Sequence, residues 1–198
     1  MNSTEYVGRA AFKLEASCIK FKIDFRGKTV LDIGSSTGGF SDYALQNGAE
    51  RVIAIERGSR QMASPLRFDK RIELHEKTDI LSVEPFGSKS GFTKLALVPD
   101  IVLIDLSFVS LKSILAHVSK LVDSKTQLVV LVKPQFEAGN EDKNKGIIKN
   151  ENIRRRIFKD FELWVRKYFV VLNKVDSALS GTKGNKERFY LLRKNISS

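Results

Sequence analysis

Five ionisable side chains of this 198-residue chain lie at or near the ends of successive apolar runs, where their types could do chemistry. They are Asp32, Glu56, Asp79, Asp105 and Lys133. The runs before them are typical of buried strands, and helical patterns separate these strands. In a parallel sheet of that kind, ligands bind outside the carboxyl ends of the strands. We therefore expect the five side chains to share one rim of the sheet.

A glycine-rich stretch, LDIGSSTGGF at residues 31–40, joins the first predicted strand to a predicted helix at residues 41–47. Gly34, Gly38 and Gly39 permit a sharp turn and let a ligand approach main-chain N–H groups at a helix N-terminus. Such a loop can bind a small molecule. A loop that only packs the helix against the strand is the plainer alternative.

The acids around this loop indicate which ligand it would hold. Glu56 follows Asp32 by 24 residues, close to the spacing of about 20 between a glycine loop and a carboxylate that binds ribose hydroxyls. The loop has neither the GxGxxG dinucleotide pattern nor the GK[ST] phosphate pattern. Further carboxylates at the rim would repel phosphate. S-adenosylmethionine, which has ribose hydroxyls, an amine and a positive centre, suits this charge better.

The elements that must position these residues alternate along the chain. Helices are predicted at residues 6–21, 41–47, 61–68, 110–122 and 150–167, and strands at 29–33, 51–56, 71–75, 100–104, 127–132, 169–175 and 188–192. Residues 82–97 predict weak structure, and the polar residues 138–150 predict a mobile loop that could act as a lid. This alternation predicts an α/β fold with a doubly wound, mostly parallel sheet.

Apolar spacing predicts the buried faces of the first and last helices. In the first helix the expected core residues are Phe12, Leu14, Ala16, Cys18 and Ile19. In the last helix they are Ile157, Phe161 and Trp164.

Composition and charge limit the possible classes of protein. The net charge of +11 favours a phosphate polyanion or anionic lipid as partner, although lysine-rich codon usage would give the same value. No apolar run approaches the roughly 20 residues of a membrane span, and no signal peptide is recognisable, so we expect one globular cytoplasmic domain without stable membrane association. The single Cys18 excludes an internal disulfide, and His75 and His117 lack ligand spacing, so no metal site is predicted.

Five motifs carry a resemblance to a known family: YVGRAAFKL at residues 6–14, LDIGSSTGGF at 31–40, PDIVLIDLSFVSL at 99–111, VKPQFEAG at 132–139 and GTKGNKE at 181–187. Together they resemble the TlyA/hemolysin A group of FtsJ-like RNA ribose methyltransferases over nearly the whole chain. The resemblance implies a Rossmann-like S-adenosylmethionine-dependent methyltransferase fold, with a seven-stranded sheet whose last strand is antiparallel. It also implies one domain over residues 1–198, with a helical lead-in at 1–26. An S4-type RNA-binding domain usually precedes it in this group, whereas this sequence starts almost directly at the YVGR motif, so that domain has either been trimmed from it or is lacking.

The resemblance further implies S-adenosylmethionine as cofactor and transfer of its methyl group to a ribose 2′-hydroxyl of ribosomal RNA, in free RNA or ribosomal subunits. The catalytic tetrad of the group would be Lys13, Asp105, Lys133 and Glu187. A ribose hydroxyl is a poor nucleophile, so its proton must be removed as the new bond forms. Lys133 can be that base, because desolvation and the charge of Lys13 favour its neutral form. Asp105 and Glu187 would orient the two amines.

The expected binding residues form two sets. For the cofactor they are Asp32, Gly34, Ser35, Ser36, Thr37, Gly38, Gly39, Phe40, Glu56, Asp79 and Asp105. Within this set the loop backbone is expected around the methionine part, Glu56 at the ribose hydroxyls and Asp79 near the adenine amine. For RNA phosphates they are Arg9, Lys143, Lys145, Lys149, Arg154, Arg155 and Arg156.

Plainer interpretations exist for the tetrad. Lys13 and Lys133 could be solvated lysines, Asp105 could cap the next helix, and Glu187 could be a surface acid. Two other functions are a membrane-active hemolysin and a cofactor- and RNA-binding protein without catalysis. The first would need an exposed apolar helix face, which the sequence does not indicate. The second would not need all four tetrad residues.

Overall fold

Strands and helices alternate along most of the chain. The structure is a computed structural model that describes residues 5–89, 93–139, 146–181 and 183–196. Its helices are α1 Arg9–Phe21, α2 Gly39–Gln46, α3 Ser64–Arg67, α4 Lys112–Leu121, α5 Pro134–Glu137 and α6 Glu151–Val165. Its strands are β1 Thr29–Ile33, β2 Arg51–Ile55, β3 Ile72–His75, β4 Val83–Glu84, β5 Thr93–Lys94, β6 Ile101–Ile104, β7 Gln127–Val132, β8 Phe169–Asp176 and β9 Arg188–Lys194.

Seven strands form one sheet in the order β3-β2-β1-β6-β7-β9-β8. The first five are mutually parallel, and β9 runs antiparallel to both β7 and β8. The predicted α/β class, the mostly parallel seven-stranded sheet and the antiparallel last strand are confirmed. The strand order reverses between β1 and β6, and such a switch point opens a crevice beyond the carboxyl ends of these two strands.

The sheet is buried on both faces, because side chains of a strand point alternately to its two sides. Leu31 and Ile33 of β1 join the core under α4 and α6, whereas Val30 joins the core under α1 and α2. The inner strands β1, β6 and β7 are therefore apolar almost throughout, as their sequences indicated. Such strands hold their carboxyl ends in fixed positions relative to one another.

The predicted core face of α1 was partly wrong. Leu14 and Cys18 are buried, but Phe12 and Ile19 are 45% and 69% exposed, and Ala16 is exposed as well. The buried face consists of Ala11, Leu14, Cys18 and Phe21. These residues form one stripe along the helix. Phe12 lies beside this stripe, and its ring packs edge-on against that of Tyr6, with 5.1 Å between the ring centroids. Lys13 consequently lies at the border of the buried face.

Other boundaries differ more modestly. The helix predicted at 61–68 is only the single turn α3, with Pro65 in its first turn, where a missing N–H costs nothing. The stretch 82–97, expected to be weakly structured, contains the two-residue strands β4 and β5. In α6, Ile157 and Phe161 are buried as predicted, and Trp164 is partly buried against the same core. In the described part of the chain, no helix combines the length and the apolar character needed to cross a membrane.

Candidate active site

Three adjoining cavities lie at the carboxyl ends of the strands. The first cavity has a volume of about 430 Å³ and opens beyond β1, β2 and β6. Its polar wall is formed by Gly34, Ser36, Glu56, Asp79 and Asp105, and its apolar wall includes Ile80, Leu106 and Phe108. This volume falls in the usual range for small-molecule sites, about 300–1,000 Å³.

The glycine loop passes close to the end of β6 at the edge of this cavity. Gly34 has a φ of +83°, and a Cβ there would lie 2.7 Å from the carbonyl oxygen of Asp105. Gly38 has a φ of +93° and precedes the first turn of α2. Glycine is required at both positions, because other residues rarely adopt this backbone conformation and a Cβ at Gly34 would clash. The loop thus brings its main chain to the cavity wall.

Two acids of the first cavity are held by main-chain N–H groups. Glu56 accepts hydrogen bonds from the N–H of Ser36 at 2.9 Å and from the N–H of Gly58 at 2.6 Å. Asp79 accepts one from the N–H of Leu81 at 2.9 Å. Both carboxylates therefore have fixed positions and keep lone pairs that a ligand can use.

Asp32 lies beneath the loop and is fully buried. One carboxylate oxygen accepts a hydrogen bond from the Ser41 hydroxyl at 2.6 Å, while the other has no hydrogen-bond partner among the described residues. Burial raises the pKa of Asp32 to about 7; the hydrogen bond from Ser41 opposes this rise and the nearby charge of Asp105 adds to it. Asp32 supports the floor of the loop rather than lining the cavity.

Of the residues predicted to bind the cofactor, Gly34, Ser36, Glu56, Asp79 and Asp105 line the first cavity, and the others do not. Phe40 is 3% exposed and packs against Phe189 with ring centroids 6.2 Å apart, so its place is in the core. Asp32 lies below the loop. The remaining residues, Ser35, Thr37, Gly38 and Gly39, belong to the loop but do not line the cavity.

The four predicted tetrad residues come together as two ion pairs. The Lys133 ammonium lies 2.5 Å from Asp105 Oδ1 and donates a hydrogen bond to the Ser107 hydroxyl at 2.9 Å. The Lys13 ammonium donates to Glu187 Oε2 at 2.7 Å, and the Glu187 side chain is 2% exposed. Helix α1 and the ends of β6, β7 and β9 each supply one member. Because these four side chains are largely buried, both ion pairs are held in fixed positions.

All four tetrad residues line the third cavity, which has a volume of about 480 Å³. This cavity shares Ser36 and Asp105 with the first cavity. Lys13, Lys133 and Glu187 complete its charged wall. The two ion pairs therefore border the same space as the end of the glycine loop.

The turn before β9 holds Glu187 in place. A Cβ on Gly181 would overlap Glu187 Oε1, so the main chain of the turn packs directly on the carboxylate. Asn185 is 2% exposed; its Oδ1 accepts from the N–H of Ile148 at 2.9 Å, and its Nδ2 donates to the carbonyl of Gly146 at 3.0 Å. Asn185 thereby fastens this turn to the segment before α6.

The second cavity, of about 450 Å³, lies on the other side of Lys133 and Glu187. Phe108, with a φ of +67° and 90% exposure, separates it from the first cavity. The Phe108 ring lies 5.3 Å from that of Phe136, measured between centroids. The remaining lining residues are Ser107, Gln135, Gly146, Lys183 and Asn185. An exposed aromatic pair thus borders the candidate base.

Glu137 joins the short helix α5, which carries Phe136, to the loop before α4, which carries Phe108. Its carboxylate accepts from the Ser110 hydroxyl at 2.6 Å and from the N–H of Leu111 at 2.7 Å, and burial raises its pKa. Our sequence analysis did not single out Phe108, Gln135 and Phe136, which line the second cavity. They lie within the DLSF and VKPQFE motifs, so the motifs themselves were the available signal.

The residues predicted to bind RNA are dispersed. Arg9 is exposed and lines the third cavity, and Lys149, Arg155 and Arg156 are exposed near or on α6. Arg154 is a correction: its side chain is 8% exposed and its guanidinium pairs with Glu151 at 2.6 Å and Asp176 at 3.6 Å, so it supports the fold. Lys143 and Lys145 lie outside the described residues. In the described ranges, no cluster of three or more histidine, cysteine or acidic residues could hold a metal ion.

Sequence comparison identifies relatives of this chain. The FtsJ-like methyltransferase family matches residues 6–195. The chain is 35% identical over 193 residues to the 23S rRNA (cytidine-2′-O)-methyltransferase TlyA of Campylobacter jejuni, covering 96% of this chain and 72% of that protein. It is 40% identical over 159 residues to the candidate rRNA methyltransferase YqxC of Bacillus subtilis, covering 80% of this chain. The chain spans about half the length of YqxC, 54%.

A solved structure agrees with the sequence comparison. The crystal structure of a candidate hemolysin from Lactococcus lactis superimposes with a TM-score of 0.89 at 34% identity. The match covers 98% of this chain and 90% of that one. The chain therefore belongs to the FtsJ-like methyltransferase family and, within it, to the TlyA/hemolysin A group.

Proposed function

We propose that this protein transfers the methyl group of S-adenosylmethionine to a ribose 2′-hydroxyl of ribosomal RNA. The observation that carries the proposal is the meeting of two ion pairs, Lys13 with Glu187 and Lys133 with Asp105, in the wall of the third cavity between the two others. The relative TlyA is named as a methyltransferase that modifies a cytidine 2′-hydroxyl of 23S rRNA, and it supports the same substrate class here.

The residues of the first cavity fit S-adenosylmethionine. Glu56 is fixed by two N–H groups and would bind the ribose hydroxyls, and Asp79 would lie near the adenine amine beside the apolar Ile80 and Leu106. The main chain at Gly34 would hold the methionine part. A Cβ at Gly34 would lie 2.7 Å from the carbonyl oxygen of Asp105, so the loop borders the cavity with bare main chain, as expected of a loop that binds a ligand. When bound, the cofactor supplies an electrophilic methyl group on a positively charged sulfur.

Lys133 is the base in this proposal. Asp105 and Ser107 hold its amine in the wall shared by the second and third cavities. From there the amine, once it has lost its own proton, would take the proton of the ribose hydroxyl as that oxygen bonds to the methyl carbon, while the carbon–sulfur bond breaks and S-adenosylhomocysteine leaves as a neutral thioether. Lys13, held by Glu187, keeps a positive charge beside the developing negative oxygen. The rest of the acceleration comes from holding the reacting groups in line.

The second cavity would receive the target nucleotide. Exposed aromatic rings bind unpaired bases by stacking, and Phe108 beside Phe136 offers such a surface next to Lys133. Arg9 and Lys149 would contact the flanking phosphates. The net charge of +11 supports an RNA partner, either ribosomal RNA or a ribosomal subunit.

The proposed catalytic unit is one domain. The tetrad draws on α1 as well as on β9, so the lead-in at residues 1–26 belongs to the same unit as the sheet. We assign its action to the cytoplasm, as the place where a modifying enzyme would meet ribosomal RNA.

Transfer of tritiated methyl groups to isolated small and large ribosomal subunits tests the proposal. We expect label in one or both, and mapping of the modified ribose then identifies the nucleotide. Calorimetric titration with S-adenosylmethionine accompanies the assay. Heat of binding without incorporated label would indicate a binding protein without catalysis and would refute the proposed transfer.

A further inference from the structure

Two carboxamide side chains line the second cavity, and their hydrogen bonding differs. Both ends of the Asn185 amide bind main-chain groups, those of Ile148 and Gly146. Gln135 Oε1, in contrast, is closed off from solvent and accepts no hydrogen bond from any described residue. The hydrogen bonds of Asn185 therefore give that residue a structural role. The fold alone does not explain why Gln135 Oε1 is buried without a hydrogen bond.

Three other side chains of this cavity already use an acceptor oxygen within the fold. The Ser107 hydroxyl accepts from Lys133, the Asn185 carbonyl accepts from Ile148, and Glu187 Oε2 accepts from Lys13. Among the lining residues that the structure describes, Gln135 alone has a buried side-chain acceptor without a hydrogen-bond partner. A buried acceptor without a donor reduces the free energy of folding, and a ligand that brings the donor would compensate for this.

The position of Gln135 indicates which ligand brings the donor. It lies two residues after Lys133 in the first turn of α5 and next to Phe136, whose ring contacts Phe108. A base stacked on Phe108, with its ribose at Lys133, would turn its polar edge toward this part of the wall. Lys183, also in the lining, can only donate hydrogen bonds, so it cannot serve an amino group, and the lone pair of the Lys133 amine is the one that takes the proton of the ribose hydroxyl in the proposed function.

We propose that Gln135 Oε1 accepts a hydrogen bond from the exocyclic amino group of the nucleobase whose ribose is methylated. The inference rests on the proposed function and adds a residue that determines base specificity. Cytosine carries a donor amino group at N4, whereas uracil carries an acceptor oxygen at the equivalent position. Uracil would therefore place its acceptor oxygen against Gln135 Oε1, and neither oxygen would receive a hydrogen bond.

The test compares three RNA substrates once the modified nucleotide has been mapped. They carry at that position cytidine, uridine, or the pyrimidin-2-one ribonucleoside that lacks the 4-amino group. For the unaltered protein we expect kcat/KM for cytidine to exceed the other two by about 10- to 100-fold, the range for loss of one buried hydrogen bond. In Gln135→Met, which keeps the length but has no acceptor, we expect the three values to agree within about threefold.

Two controls separate recognition from folding. Asn185→Ala loosens the turn at Glu187 and should lower kcat/KM for all three substrates by a similar factor, which leaves their ratios unchanged. Gln135→Ala is a second variant, and an unaltered affinity for S-adenosylmethionine establishes that each variant is folded.

The outcomes distinguish this inference from the function on which it rests. Unchanged ratios in both Gln135 variants overturn the inference and leave the proposed function intact. An equal loss on cytidine and uridine also overturns it, because the side chain would then not read the amino group. No methyl transfer by the unaltered protein to any ribosomal RNA would overturn both.

Discussion

The first and second cavities lie side by side but are built differently. The first is walled by strand ends and by loop backbone, and main-chain N–H groups hold its Glu56 carboxylate. The second is walled by side chains from loops and from the short helix α5, among them Phe108, Gln135 and Lys183. The topology of the sheet thus positions the residues of the first cavity, whereas the identity of single side chains shapes the second. Substitutions should accordingly affect the cofactor in one cavity and RNA in the other.

The largest expected effect is that of substituting Lys133, which lies at the border between the cavities. Lys133→Ala removes the proposed base and should lower methyl transfer by at least about 1,000-fold, because proton removal and its orientation are lost together. The affinity for S-adenosylmethionine, measured by calorimetry, should stay within a few-fold. Lys120→Ala, at an exposed lysine in the last turn of α4, is the matched control and should change neither quantity. Retained turnover in Lys133→Ala would refute the assignment.

Beneath the first cavity, the buried carboxyl of Asp32 should make stability depend on pH. Burial raises its pKa from 3.8 to about 7, so the folded state binds this proton more tightly than the unfolded state does. Stability from this group is present below about pH 4 and is lost as the pH rises to about 7, a change on the order of 4 kcal/mol.

Asp32→Asn should remove that loss. Urea unfolding at pH 5 and pH 8 should show the variant gaining free energy of unfolding relative to the unaltered protein as the pH rises. Asp160→Asn, at an exposed position on α6, serves as control. A difference between Asp32→Asn and the unaltered protein that stays constant with pH would contradict the assigned ionisation.

Glu56→Ala tests the first cavity alone. Loss of the carboxylate should weaken S-adenosylmethionine binding by about 10- to 100-fold, because a charged hydrogen-bond partner is removed and the loop at Ser36 loses its anchor. RNA affinity should be unchanged. Glu50→Ala removes the same charge from an exposed site before β2 and should leave both affinities as they were. An equal loss of RNA binding would mean that the cavities do not act separately.

Phe108→Ala tests the second cavity in the same way. The loss of one stacked ring should weaken RNA binding by about tenfold. The ring also borders the first cavity, but Ile80 and Leu106 remain in the apolar wall there, so the affinity for S-adenosylmethionine should change less than threefold. Phe68→Ala is a close control, since Phe68 is also an exposed ring, at 78% against 90% for Phe108. RNA affinity that responds equally to both substitutions would argue against stacking at Phe108.

The strand-end acids and the sheet were predictable because they depend on local patterns. Asp32, Glu56 and Asp105 each directly follow or end an apolar run, and parallel strands bring such ends to one rim. Lys13 and Glu187 were predicted only through the resemblance, since they are 174 residues apart and no local pattern joins them.

Other features depend on packing that a single sequence does not reveal. Phe12 and Ile19 have apolar side chains at helical spacing, yet the buried stripe of α1 passes beside them. Arg154 resembles its neighbours in sequence but points toward Glu151 and Asp176. The unsatisfied carbonyl of Gln135 is visible only once its surroundings are known.

The ion pair between Lys13 and Glu187 joins the first helix to the start of the last strand, and β9 itself lies inside the sheet between β7 and β8. During synthesis neither the pair nor the sheet can be completed before residues 187–194 have left the exit tunnel of the ribosome. A nascent chain that has not yet exposed these residues therefore lacks one of the two ion pairs and the strand that closes the sheet.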